Sequence, residues 1–259
     1  MLGPGRSWRP LQIGRNAVAT NHPAGTDAGI DIQKAGGNAA DAAAAISLTL
    51  GVCEPFMSGL GGDGFYHIFD GRSFVYEGTG SAPASASPER FRNGLPETGP
   101  LSISPPGALA GLAAMHAGHG RLPFRDICTP AIALAANGIR VGHTYRRFAS
   151  SHAWRIKDRH AGSIYLDESA PPPLAAVVVN RPVATTLETL SQEGAESFYR
   201  GDLAREISAD LLDIGSLVTA DDLSATVAIE RQPMIADYRG FLARRTPNLA
   251  FSRSIPRTS

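Results

Sequence analysis

From residue 23 to residue 35 the apolar side chains of Ala28, Ile32 and Ala35 recur at helical spacing, which predicts a first helix ended by Gly36. Asn38 can cap a second helix over residues 39–52, with Asp41 placing negative charge at its positive end and Pro55 closing it. That helix reads AADAAAAISLTLGV, and its first half is nearly all alanine. A face with almost no side chain lets a neighbouring helix lie close. The glycines that follow at positions 59, 61, 62 and 64 predict a loop shaped by its backbone, using angles closed to other residues.

Extended patterns flank these helices. Residues 16–20 read as a short strand, and residues 65–69 and 73–77 as a hairpin turned at Asp70-Gly71. Residues 107–118, 124–137, 144–158, 182–192 and 201–214 read as helices, with Gly138 as a left-handed stop after the second of them. Residues 227–230, 234–238 and 241–243 look extended. Sheet and helices without a regular βαβ repeat favour an α+β layered fold over a doubly wound one.

Composition narrows the function classes. The chain has 259 residues, enough to bury the core of one compact domain. Lysine plus arginine number 24, as do aspartate plus glutamate, so no net charge draws the chain to nucleic acid or acidic lipid. Cys53 and Cys128 are the only cysteines and form no CxxC, which suggests neither a disulfide framework nor a zinc site; both read as buried thiols on helices. The opening MLGPGRSWRPLQIGR has no apolar run of seven and no small-residue cleavage site, so it does not read as a secretory signal, and a cytoplasmic location is expected. Beyond the alanine helix the longest strongly apolar run is 174–179, too short for a membrane span.

Candidate catalytic patterns in the chain are few. Residues 59–64, GLGGDG, satisfy G-x-G-x-x-G, but nucleotide binding by that motif needs a strand before it and a helix after it; here a helix precedes and a strand follows. A tight connection or a substrate-side wall is the better reading. His116 and His119 lie three apart, with Asp126 not far off, and read as a polar helix end rather than a metal site. Asp221-Asp222 read as the first turn of a short helix opening after Thr219. Gly-x-Ser-x-Gly is absent.

The remaining motifs run in register along the chain. They are Ala19-Thr20-Asn21-His22-Pro23, Gly36-Gly37-Asn38-Ala39-Ala40-Asp41-Ala42-Ala43, Glu54-Pro55 and Ser58-Gly59-Leu60-Gly61-Gly62-Asp63-Gly64. Pro106-Gly107-Ala108, Gly120-Arg121-Leu122-Pro123 and Pro130-Ala131-Ile132-Ala133-Leu134-Ala135 with Gly138 follow. Together, over roughly residues 14 to 240, they resemble the gamma-glutamyltransferase family of N-terminal nucleophile hydrolases. The Gly78-Thr79-Gly80-Ser81-Ala82-Pro83 segment is similar to its acylase-like branch.

That resemblance implies part of an αββα sandwich, a large-subunit portion, and no metal or cofactor. It implies self-cleavage that frees a threonine, whose hydroxyl attacks an amide carbonyl while its own amino group serves as base. Gly61 and Gly62 would form a wall beside the substrate, with Gly80 and Ser81 at the carboxylate end. Family members carry an arginine just before the Ala-Pro pair, and this chain has Ser81 there. Exchanging a guanidinium for a hydroxyl forfeits a charge-assisted bond worth about 1.5–3 kcal/mol, so the acyl group is left open between gamma-glutamyl and others.

The Thr-Thr-His-like segment that bears the family nucleophile does not occur in these 259 residues, and Thr20, Thr144, Thr185 and Thr186 read as caps or packing residues. The expectation is therefore the N-terminal part of an amide-cleaving or acyl-transferring enzyme, inactive alone, that needs a small subunit and takes a small amide or peptide substrate. The alternative is a non-catalytic paralogue that binds a small amide or a partner, and self-association is left open. Domain bounds follow: an arm at 1–13, the family-like domain at 14–243, and a tail at 244–259. That tail, RRTPNLAFSRSIPRTS, is basic and rich in proline and serine, and is expected to be disordered.

Overall fold

The computed structural model describes residues 13–156 and 160–247. Two helices open it. In α1 (Pro23–Lys34) the His22 ring nitrogen Nδ1 accepts the Ala24 N–H at 3.2 Å and Pro23 takes the first position, where its missing N–H costs nothing. In α2 (Ala39–Cys53) Asn38 Oδ1 accepts the amides of Ala40 and Asp41 at 2.9 and 3.0 Å, while Asp41 Oδ2 accepts the Asn38 N–H at 2.7 Å. The two helices lie so close that a Cβ on Gly29 would come within 2.6 Å of Ile46 Cδ1. The expected strand at 16–20 is not formed. Thr20 Oγ1 donates instead to the His22 carbonyl at 2.7 Å and meets Thr26 Oγ1 at 2.8 Å, so this segment braces the start of α1.

The chain continues through β1 (Gly64–Asp70), β2 (Arg72–Gly78), α3 (Ala108–His119), α4 (Phe124–Asn137), β3 (Ile139–Arg140), α5 (His143–Ile156), α6 (His160–Tyr165) and β4 (Val177–Val178). After these come α7 (Arg181–Glu193), α8 (Asp202–Asp213), α9 (Ala220–Ser224), β5 (Ile229–Arg231), β6 (Met234–Tyr238) and β7 (Phe241–Arg245). Residues 157–159, which the expected helix at 144–158 entered, lie outside the described residues. The expected hairpin is β1–β2, with Asp70 opposite Arg72 and Gly71 at φ 72° closing the turn. Antiparallel β5 completes a three-stranded sheet of order β1-β2-β5; two two-stranded sheets, β3-β4 and β6-β7, share no ladder with it, and Arg244 of β7 lies over the Phe69 ring of β1 at 5.3 Å. The architecture is α+β. Gly138 does follow α4, at φ 88° and ψ 163°; its φ is positive, but its extended ψ leads straight into β3 rather than forming a left-handed cap.

One face of the main sheet lies against α3, where Tyr66 donates to the Ala108 carbonyl at 2.9 Å and Tyr76 Oη meets His119 Nε2 at 3.0 Å. On the other face of edge strand β1, Phe65, His67 and Phe69 are exposed. The core lies among α2, α3, α4 and α7, where Leu109, Leu112, Met115, Ile127, Leu187 and Leu190 are fully buried, each contributing about 1.5–3 kcal/mol. Strand β7 runs through Arg244 and Arg245, opposite Ile235 and Met234, and so enters the stretch expected to be a tail; residues 248–259, like 1–12 of the arm, lie outside the described residues. No helix among the described residues is long and apolar enough to cross a membrane.

Candidate functional site

Where α2 ends, the chain turns beneath α3 and α7 and leaves a cleft of ≈ 630 Å³. Its walls are Leu48 and Val52 of α2, Leu109 and Leu112 of α3, and Val183 and Leu187 of α7. Residues 55–64 form its mouth, and Ser47, Tyr66 and Tyr165 add hydroxyls. The loop is held by its own backbone: the Met57 and Ser58 amides donate to the Glu54 carbonyl at 2.8 and 3.1 Å, and the Gly62 amide to Gly59 at 3.2 Å. Gly62 then accepts from the Gly107 and Ala108 amides at 3.1 and 2.8 Å, which ties the loop to the first turn of α3. Phe56 at the mouth stacks on Phe148 of α5, centroids 4.4 Å apart.

The glycines of this loop do not serve the purpose expected of them. None of Gly59, Gly61, Gly62 or Gly64 has a positive φ. A Cβ on Gly59 or Gly61 would meet nothing within 4 Å, and one on Gly62 would make only an ordinary contact. At Gly59 and Gly61 the absent side chains leave backbone bare toward open space, whereas a Cβ on Gly64 would come within 2.8 Å of Tyr66 Oη. Burial raises the phenols of Tyr66 and Tyr165 above their ordinary range, although Ser47 and Asn180, respectively, partly offset it, so both remain neutral hydroxyls at physiological pH.

Two carboxylates hold the Gly80-Ser81 segment. Asp63 Oδ1 accepts the Gly80 N–H at 3.0 Å, and Asp222 Oδ1 accepts the Ala84 N–H at 2.8 Å. Asp222 also closes a capping box with Thr219 at the start of α9, as the sequence led one to expect. Burial works against its charged form, but the Ala84 and Thr219 amides and the Thr219 hydroxyl outweigh it and hold the carboxyl below its usual range. Gly80 is pressed against Pro105, whose carbonyl oxygen occupies the place a Cβ would take. Gly61 and Gly62 thus line the cleft and Gly80 is tethered to it through Asp63. Ser81 is exposed and is not among the lining residues.

Sequence reasoning passed over Asp63 and Glu77. The Glu77 carboxylate, 2% exposed, accepts from Arg231 Nε at 2.7 Å and from Thr79 Oγ1 at 2.8 Å, immediately before the Gly78-Thr79-Gly80-Ser81 turn. Burial opposes its ionisation, yet the guanidinium and hydroxyl win and keep its pKa below the ordinary glutamate value. A signal was available: Glu77 alternates in phase with Val75, which is wholly buried.

The discounted candidates take structural places. His116 Nε2 lies 3.1 Å from Asp41 Oδ1, His119 meets Tyr76, and exposed Asp126 is 3.6 Å from Arg125 Nε. The described residues contain no group of three metal-ligating side chains. Thr185 and Thr186 lie within α7, and residues 59–64 connect helix α2 to strand β1. Cys53 and Cys128 are both buried.

Comparison with known proteins agrees with this architecture. The family described as Gamma-glutamyltranspeptidase matches residues 25–249. The glutathione hydrolase proenzyme of Escherichia coli (strain K12) is 31% identical over 251 residues, 93% of this chain and 43% of its own length. The Acylase ACY 1 proenzyme of Pseudomonas sp. (strain SE83) is 32% identical over 90% of this chain and 45% of its own. Among solved structures, the gamma-glutamyltranspeptidase of Helicobacter pylori superposes with a TM-score of 0.88 at 26% identity, covering 93% of this chain and 73% of that one. The chain spans less than half the length of these curated relatives and corresponds to their large-subunit part. Matched over most of its residues and sharing the fold, this chain belongs to the gamma-glutamyltranspeptidase family.

Proposed function

We propose that the chain is the N-terminal, large-subunit part of a gamma-glutamyltransferase-like N-terminal nucleophile hydrolase, which breaks or transfers an amide-linked acyl group once a threonine-bearing partner segment joins it. The observation that carries this is the one-sided match: nearly all of this chain aligns with less than half of each relative, and the 259 residues hold no Thr-Thr-His segment. The main sheet supports it. Strand β1 stands at an edge with Phe65, His67 and Phe69 exposed, the kind of surface that a second sheet covers. In this reading the chain supplies the wall of the substrate site through Gly61 and Gly62, and the partner supplies nucleophile, base and oxyanion donors.

The test is release of a chromogenic anilide from its gamma-glutamyl and other acyl derivatives. The chain alone should release none. The chain co-expressed with a family small subunit should release anilide from at least one derivative. Turnover by the chain alone, or none by the assembly, would refute the proposal.

A further inference from the structure

We infer that the cleft beside the glycine loop receives a neutral, apolar acyl chain. This rests on the proposed function and names the substrate class of its acyl site. Val183 and the edges of Leu48, Val52, Leu109, Leu112 and Leu187, which the core otherwise buries, form the walls, and among the described residues no lysine, arginine or histidine lines the cleft. Among the described residues the one charged group in the lining is Asp63, whose carboxylate repels a carboxylate on the ligand. A gamma-glutamyl group carries a carboxylate beside its ammonium; Asp63 can pair with the ammonium, but burying the carboxylate without a partner is far costlier than burying methylenes. The volume of ≈ 630 Å³ lies within the span of roughly 300–1,000 Å³ usual for small-ligand sites.

Two hydroxyls of the lining already have partners. Tyr66 donates to Ala108, and Tyr165 Oη accepts from Asn180 Nδ2 at 2.8 Å. What polar capacity remains is the Ser58 hydroxyl, the Tyr165 O–H and backbone. The amides of Gly59, Leu60 and Gly61 have no acceptor among the described residues, and no Cβ on Gly59 or Gly61 shields them. They suit one carbonyl oxygen at the head of an otherwise apolar chain, which is the pattern of an acyl amide.

Calorimetric titration of the 259-residue chain with three N-methyl amides tests this: those of octanoic acid, of glutaric acid with its far carboxylate free, and of gamma-glutamate. The octanoyl amide should bind at least tenfold tighter than either charged one. Val183→Phe, which fills the cleft, should weaken octanoyl binding at least tenfold. Met57→Lys, at an exposed position on the mouth, carries little folding risk and should narrow the preference by favouring the glutaryl amide. A charged amide that binds as well as the octanoyl one, binding of none of the three, or a preference unchanged in both variants would overturn the inference. Because binding is read without turnover, such a result leaves the subunit reading to the anilide assay.

Discussion

The Arg121 N–H reaches both carboxylate oxygens of Asp41, at 2.9 and 3.1 Å, across 80 residues of sequence. Leu122 adds its amide at 3.2 Å, Asn38 its own at 2.7 Å, and His116 Nε2 lies 3.1 Å away, all around a carboxylate with no solvent exposure. Two motifs that carry the family likeness, GGNAADAA and GRLP, are thus the halves of one latch holding α2 to the turn after α3. Asp41→Ala would strand several buried amides and should lower unfolding free energy by about 3–5 kcal/mol in urea titration, with Asp41→Asn costing less. A loss within experimental error in Asp41→Ala would show that the latch is dispensable.

The glycines should divide sharply under alanine substitution. Gly80→Ala drives a Cβ into the Pro105 carbonyl and Gly78→Ala into that of Gly107, where backbone on both sides resists relaxation. Each should cost about 1–3 kcal/mol or more. Gly61→Ala meets nothing within 4 Å and needs no positive φ, so its stability should stay within about 0.5 kcal/mol of the parent. Thermal or urea unfolding of the three variants side by side checks the order.

The contrast shows what the sequence could and could not reveal. Helix bounds were legible because capping is local: Asn38 with Asp41, and Thr219 with Asp222, announce their helices within four residues. Residues 16–20 form no strand because Val18 packs against Gly29 of α1 rather than joining a ladder, a contact that local sequence does not announce. The loop glycines were found, but their role depends on what stands opposite each one, which spacing cannot tell. Of the candidate site, Gly61 and Gly62 fall on the cleft, and Asp63 comes with them as their neighbour in the loop, while Tyr165 and Val183 reach it only through tertiary packing.

Glu77 links stability to pH. Its folded pKa lies below its ordinary value, so its contribution is full above the unfolded glutamate pKa. That contribution is lost as pH falls from there through the folded pKa. Arg231→Met leaves the carboxylate buried without its cation and should cost about 3–5 kcal/mol at neutral pH. It should also weaken the local trend, with the variant losing less than the parent on acidification. Unfolding curves from neutral to acid pH decide this, and parallel profiles for parent and variant would refute it.

Burial pushes the thiols of Cys53 and Cys128 up to about 12. Neither should react with a chromogenic disulfide reagent near neutral pH while the chain is folded, and both should react once urea unfolds it. Rapid labelling of the native chain would place at least one thiol in an environment different from the one described.

The central claim is that amide-cleaving chemistry needs a nucleophile from outside these 259 residues. Intact-mass spectrometry after incubation with an acyl-transferring amide or its electrophilic analogue tests it most directly. The unmodified mass of this chain is the expected result, with the acyl increment found only on a partner segment when one is present. A stoichiometric acyl adduct on this chain alone would contradict the account.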